Sequence, residues 1–140
     1  MKNNNLSKRL SLVLGVLQIF IGIGAIPAGF IMIVDPSGQK LGMYVQMLSN
    51  SPFANFLIPG LFLFSINGLG SLIGGIMSIK RAKLTELFAI GLGTFLIIWL
   101  LVQFYWIGFH WLQAFYFALG IVELLLGLRI RRHKLIISEN

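Results

Sequence analysis

The chain has 140 residues, 57% of them apolar and only 11% charged, with no cysteine and a net charge of +7. Soluble domains carry roughly 25% charged residues, so this composition excludes both a water-soluble globular domain and an intrinsically disordered chain. The missing cysteines exclude a disulfide framework, a thiolate metal centre, an iron–sulfur cluster and dithiol redox chemistry.

Residues 10–34 carry no ionisable side chain, more than the roughly 20 residues a helix needs to cross about 30 Å of hydrocarbon, and predict span one. Lys2 to Arg9 resembles the basic start of a signal peptide, and Ala25-Ile26-Pro27-Ala28 offers small residues for cleavage. The apolar run is longer than the roughly 7–15 residues of a signal core, so the helix is expected to be retained. Along it Gly15, Gln18, Gly22, Ala25 and Gly29 recur every three or four positions. That spacing makes a small-residue stripe with one amide, on which another helix can pack closely.

The segment 35–51 is the one substantial loop, predicted to be external. Asp35-Pro36-Ser37-Gly38 has the residues of a tight turn. Leu41, Tyr44, Val45 and Leu48 then follow helical spacing, predicting a short amphipathic helix in the outer interface, either a structural lid or an element that admits a partner or substrate. Span two is predicted over 53–79, with Ser51 as N-cap and Pro52 as first helical residue. Its stripe runs through Gly60, Asn67, Ser71, Gly74 and Ser78, beside a ridge Gly70-xxx-Gly74-xxx-Ser78. Pro27 and Pro59 are expected to bend their helices.

Residues 87–122 are again uncharged, and as one helix would extend about 54 Å, too long for a bilayer. The stretch must turn back near Trp106-Ile107-Gly108-Phe109-His110, giving spans over 84–105 and 111–128. Span three has only a weak stripe, Glu86, Ala89, Gly93 and Gln103, and is expected to lie more toward lipid. Span four carries Gln113, Tyr116, Gly120, Glu123 and Gly127 on one face. Aromatic residues from Trp99 to Phe117 crowd this second hairpin, as in an interfacial belt.

Ten of the 11 cations precede span one, separate spans two and three, or follow span four; only Lys40 lies on the other side. The positive-inside rule then places both termini in the cytoplasm. The expected architecture is one all-α domain over 1–140, a bundle of four transmembrane helices in the plasma membrane. The runs Asp35-Pro36-Ser37-Gly38, Ser51-Pro52-Phe53, Ile58-Pro59-Gly60, Asn67-Gly68-Leu69-Gly70 and Trp111-Leu112-Gln113 resemble an uncharacterised family of small four-helix bacterial membrane proteins. The resemblance covers most of the chain and implies a bacterial inner-membrane location; it carries no activity, cofactor or site residue to transfer.

Candidate site residues are the intramembrane polar side chains Glu123, Asn67, Gln18, Tyr116 and Gln113. Candidate packing residues are Gly15, Gly22, Gly29, Gly70, Gly74, Gly120 and Gly127. Glu123 lies six positions before Arg129, about 9 Å inward along a helix, and a carboxylate in a span is costly enough to need a reason. One reason is pairing with cytoplasmic cations such as Arg129, Lys80, Arg81 or Lys8, which would make it an anchor. The other is that it loads and releases a proton or binds a cation.

No catalytic, metal or cofactor site is expected. His110 and Glu123 fall near opposite faces, so no Ser-His-acid relay assembles, and the glycine patterns lie inside apolar helices, where no nucleotide fingerprint belongs. The cations flank spans, so anionic headgroups at the cytoplasmic face are the expected partners and nucleic acid is not. The leading functional expectation is a non-enzymatic protein acting by association, as a homo-oligomer or as accessory to a larger membrane partner. The alternative is a carrier of a small solute or lipid with an inner-leaflet polar cavity around Glu123.

Overall fold

A computed structural model describes residues 2–140. It contains four long apolar helices and, among the described residues, no strand. We label them α1 (Lys2–Val34), α2 (Leu57–Ile79), α3 (Thr85–Ile107) and α4 (Trp111–Ser138). At 1.5 Å per residue α1 and α4 reach about 50 and 42 Å; the N-terminal turns of α1 and the C-terminal turns of α4 carry the charged residues beyond the apolar stretches predicted at 10–34 and 111–128.

Successive helices run antiparallel, and α1 packs on both α2 and α4. One end of the bundle gathers the cations. There Arg81 Nη2 donates to Asn4 Oδ1 at 3.3 Å, Lys134 Nζ donates to the Lys83 carbonyl at 3.2 Å, and Lys134 pairs with Glu86. The other end holds the 35–56 loop and the α3–α4 hairpin, where Gly108 takes φ 89, a conformation a side chain would disfavour.

The packing stripes are spent inside the chain. The α1 glycines face α2: a Cβ at Gly15 would lie 2.9 Å from the Gly75 carbonyl oxygen, at Gly22 2.9 Å from that of Gly68, and at Gly29 2.5 Å from the Phe64 nitrogen. Gly70 and Gly74 take Leu92 of α3 against them, and Gly120 and Gly127 take α3 residues Leu96 and Ile90. Contrary to the expectation for span three, α3 is no outlier toward lipid. Gly93 brings its backbone so near α4 that a Cβ would sit 2.8 Å from the Leu124 nitrogen, and Ala89 is fully buried.

Three local expectations are corrected. The loop makes no amphipathic α-helix. It forms two short 3-10 turns, Gln39–Leu41 and Val45–Leu48, because Gly42 at φ 68 and the extended Tyr44 interrupt any continuous helix. Span two starts at Leu57: the Ser51 hydroxyl is turned onto the Leu48 carbonyl, and Asn55 Oδ1 accepts from the Leu57 nitrogen. Pro59 therefore lies in the first turn, where a missing N–H breaks no helical bond and no bend is needed. The turn at Asp35–Gly38 is present, with the Gly38 nitrogen donating to the Asp35 carbonyl at 3.1 Å.

Residues 63–70 of α2 are wound as a π-helix, wider than the α-helical turns on either side. Such stretches are rare and are found disproportionately at functional sites. Here it carries Asn67 and Gly68, both buried, with Gly68 against Ile26 of α1.

Candidate functional site

Five polar side chains were candidates, and the structure separates them into two layers. The lower layer is fully buried. Ser78 Oγ of α2 donates to Gln18 Oε1 of α1 at 2.6 Å, and Gln18 Nε2 donates to Glu123 Oε1 of α4 at 3.0 Å. All three residues are 0% exposed. The remaining carboxyl oxygen, Glu123 Oε2, has no partner. Helical spacing had put Gln18 and Glu123 on small-residue faces, and because those faces meet, the amide finds the acid across 105 positions of sequence.

Glu123 does not pair with a cation. Among the described residues the ion pair is Lys134 with Glu86, at the rim of the cationic end. The anchor reading, in which Arg129, Lys80, Arg81 or Lys8 neutralises Glu123, is thus not what the helices do. The carboxyl faces into the bundle, while the cations of the following turns are exposed. The Gln18 amide that reaches it lies against Gly74 and accepts from Ser78.

The cavity lies in the other half. It measures about 460 Å³ between α1, α2, α3 and α4, and residues 41–56 of the loop cover it. Cavities of roughly 300–1,000 Å³ are the usual size for small-molecule sites. Its floor includes Ile21 and Leu96, which belong to one buried apolar cluster and separate it from the Gln18–Glu123 layer. Its wall contains no Asp, Glu, Lys or Arg.

Asn67, Tyr116 and Gln113 line this cavity, apart from Gln18 and Glu123. Gln113 is already committed: its Oε1 accepts from the His110 nitrogen at 2.9 Å, capping α4, and its Nε2 donates to Gln103 Oε1 at 3.4 Å, tying α4 to α3. The Tyr116 hydroxyl lies against Gly24 so closely that a Cβ there would collide with it. Asn67 is 1% exposed, and its Nδ2 has no hydrogen-bond partner.

The sequence places Trp99 in an interfacial belt. Its indole Nε1 is instead buried without a partner, and the residue lines the cavity. Tyr105, Phe109 and Trp111 do project outward, at 84, 76 and 66% exposure. The aromatic run in the sequence marks an end of a span, but not which of its rings turn inward.

The loop is built as a cover. Leu48 and Phe56 are buried, the Phe56 nitrogen donates to the Pro36 carbonyl at 2.9 Å, and Phe53 meets Trp106 edge to face with ring centroids 5.5 Å apart. At its start, Ser37 donates to Asp35 Oδ1 and the Lys40 nitrogen donates to Oδ2 at 2.9 Å. These bonds, Ser37 first, hold the Asp35 carboxyl below its usual pKa.

Among the described residues, no three His, Asp or Glu side chains converge to hold a metal. Against known proteins, the chain matches no family model, no curated protein and no solved structure.

Proposed function

We propose that the protein is a multi-pass protein of the plasma membrane, bacterial in type, that holds an apolar membrane-soluble ligand in the covered cavity. The orientation proposed puts both termini and the cationic end in the cytoplasm and the loop outside. What supports this is the charge asymmetry: the cationic end carries the side chains that anionic headgroups and the positive-inside rule favour. The observation that carries the ligand is the cavity itself, about 460 Å³, with no Asp, Glu, Lys or Arg in its wall and His110 as its one titratable side chain besides Tyr116, beside a loop anchored by Leu48 and Phe56. Association, the other expectation, draws no support from the small-residue stripes, because these are occupied within the chain.

Two experiments test the reading. Because the chain has no cysteine, Ser49→Cys and Ser138→Cys can each be labelled with a membrane-impermeant maleimide on intact and opened cells. Ser49→Cys should label in both and Ser138→Cys only after opening; the reverse pattern refutes the orientation. Native mass spectrometry of the gently extracted protein should show one small apolar molecule per chain, lost in Ala28→Phe, which places a ring in the cavity wall. Wild-type protein that is always free of bound mass refutes the binding reading, and the same spectra report whether the chain is monomeric.

A further inference from the structure

A second cavity, about 300 Å³, lies at the cationic end of the bundle, opposite the loop. Three elements line it: the turn between α2 and α3 with Lys80 and Arg81, the late turns of α4 with Lys134, and the first turns of α1 with Ser7 and Ser11. No Asp or Glu is in its wall. Lys134 has partners at the rim, Glu86 and the Lys83 carbonyl. Among the described residues Lys80 and Arg81 have no carboxylate partner, and both are exposed, so their donors are open to a ligand. Arg81 gives one N–H to Asn4 Oδ1 at 3.3 Å and keeps the rest of its fork. Cations gathered around one hollow repel each other until an anion sits between them.

The backbone shows that the Arg81 side chain is kept against a local preference. The Ala82 nitrogen donates to the Met77 carbonyl at 2.9 Å and the Arg81 nitrogen to the Ser78 carbonyl at 3.1 Å, the two bonds of a Schellman cap on α2. That cap sets residue 81 at φ 56, where glycine is usual; Arg81 is the one non-glycine residue with positive φ among those described. A guanidinium held where glycine fits more easily calls for a use of the guanidinium.

The donor set states the kind of anion. A guanidinium fork matches two oxygens of a phosphate, an ammonium supplies a point charge beside it, and a hydroxyl can donate to a third oxygen. A volume of about 300 Å³ is at the small end of the range for small-molecule sites.

We infer that this cavity binds a phosphate group, with Arg81 and Lys80 on its oxygens and the half-buried Ser7 hydroxyl beside them. A lipid headgroup and a free phosphate share that chemistry. The inference is independent of the apolar cavity, and it goes beyond a general attraction to anionic headgroups because it assigns the affinity to two named side chains.

The test is calorimetric titration of the full-length protein in maltoside detergent at constant ionic strength. The probes are dihexanoyl phosphatidylglycerol, inorganic phosphate, and dihexanoylglycerol, which lacks the phosphate. Phosphatidylglycerol should bind saturably and dihexanoylglycerol should not. Arg81→Gly and Lys80→Gln should each weaken binding about tenfold, as expected for the loss of a charge-assisted hydrogen bond. Arg81→Gly suits φ 56 and should melt no lower than the parent; if it fails to fold, Lys80→Gln decides. Arg132→Gln, exposed and outside the cavity wall, should change binding less than about twofold. Inorganic phosphate binding as tightly as the lipid supports the site and makes the free ion its ligand, whereas lipid binding alone supports it and makes the headgroup its ligand. Saturable binding of neither, parent-like binding in both cavity variants, dihexanoylglycerol binding as well as the phospholipid, or Arg132→Gln weakening binding as much as Arg81→Gly would each overturn the inference, and none of these results touches the apolar cavity.

Discussion

Gln18→Leu should be among the most damaging single substitutions in the bundle, although Leu nearly matches Gln in volume. The side chain is 0% exposed and makes two hydrogen bonds at once, accepting from Ser78 and donating to Glu123. Its loss leaves both oxygens of a buried carboxyl without a donor, since Glu123 Oε2 has none already, and strands the Ser78 hydroxyl. Each newly orphaned buried group costs about 1–3 kcal/mol. Ser78 can turn to a carbonyl of its own helix and recover part of that, as Ser65 does with Leu61 at 2.6 Å. The expected destabilisation is therefore about 3 kcal/mol, or roughly 100-fold in the unfolding equilibrium. Removing the acid as well, in Gln18→Leu/Glu123→Leu, takes away the group that was left unsatisfied and should return stability to within about 1 kcal/mol of wild type, because two apolar partners of similar shape can replace a polar pair. The measurement is reversible unfolding in mixed micelles followed by circular dichroism, read as a double-mutant cycle. Additive costs in the double variant, or a Gln18→Leu cost below about 0.5 kcal/mol, would show that the amide and the acid do not depend on each other and refute the reasoning.

Two further outcomes follow from the cavity half. Gly24→Ala places a methyl where the Tyr116 hydroxyl lies, an overpacking worth about 1–3 kcal/mol; thermal melts should show the loss, and Tyr116→Phe on the same background should recover most of it. The Asp35 carboxyl is held below its usual pKa by Ser37 and the Lys40 nitrogen, so the stability it lends the loop is fully present above the unfolded-state value and is lost as pH falls through the lowered one. Limited proteolysis of the 35–56 loop should accelerate in that acidic window, and Asp35→Asn should cleave at one elevated rate on both sides of it; an unchanged acid response in Asp35→Asn would sink the assignment.

Much of the fold is legible in the sequence because a bilayer-sized apolar run is a coarse signal that charges bracket sharply. The islands at Lys8-Arg9, Lys80 to Lys83 and Arg129 to Lys134 bracket the apolar stretches, and the structure gathers them at one end. The stripes carrying Gln18 and Glu123 were readable from spacing, since small residues at intervals of three and four mark a contact face. Which face meets which is not readable, because spacing along one helix is silent about its partner; so the sequence offers cations or a proton as the reason for the acid, and only the structure shows an amide on α1 donating to it. The π-helical stretch was invisible for a related reason. Its residues, Leu63 to Gly70, are ordinary for a membrane helix, and the contacts that Gly68 and Gly70 make with Ile26 and Leu92 belong to other helices. The loop misled more directly: Leu41, Tyr44, Val45 and Leu48 keep helical spacing, yet Gly42 breaks the helix and Leu48 alone of the four is buried.

The two polar layers are separate in space but bear on the same pair of hairpins. Within each hairpin the helices are locked by glycine contacts, α1 on α2 through Gly15, Gly22 and Gly29, and α3 on α4 through Gly93 and Gly127. Between the hairpins the polar tie is Gln18 to Glu123, one helix spanning to the other at 3.0 Å, with Ser78 holding the amide in the orientation that makes it. The cavity opens between the same hairpins, about one turn higher on α1, where Ile21 forms part of its floor. The tie therefore sets the spacing of α1 and α4 on which the cavity width depends, and the Tyr116 hydroxyl, seated on Gly24, sets it again two turns above Glu123. A buried acid in this position need never touch the ligand to matter for its binding. Whatever loosens the lower tie lets the wall that carries Tyr116 drift from the wall that carries Gly24, and the cavity between them widens.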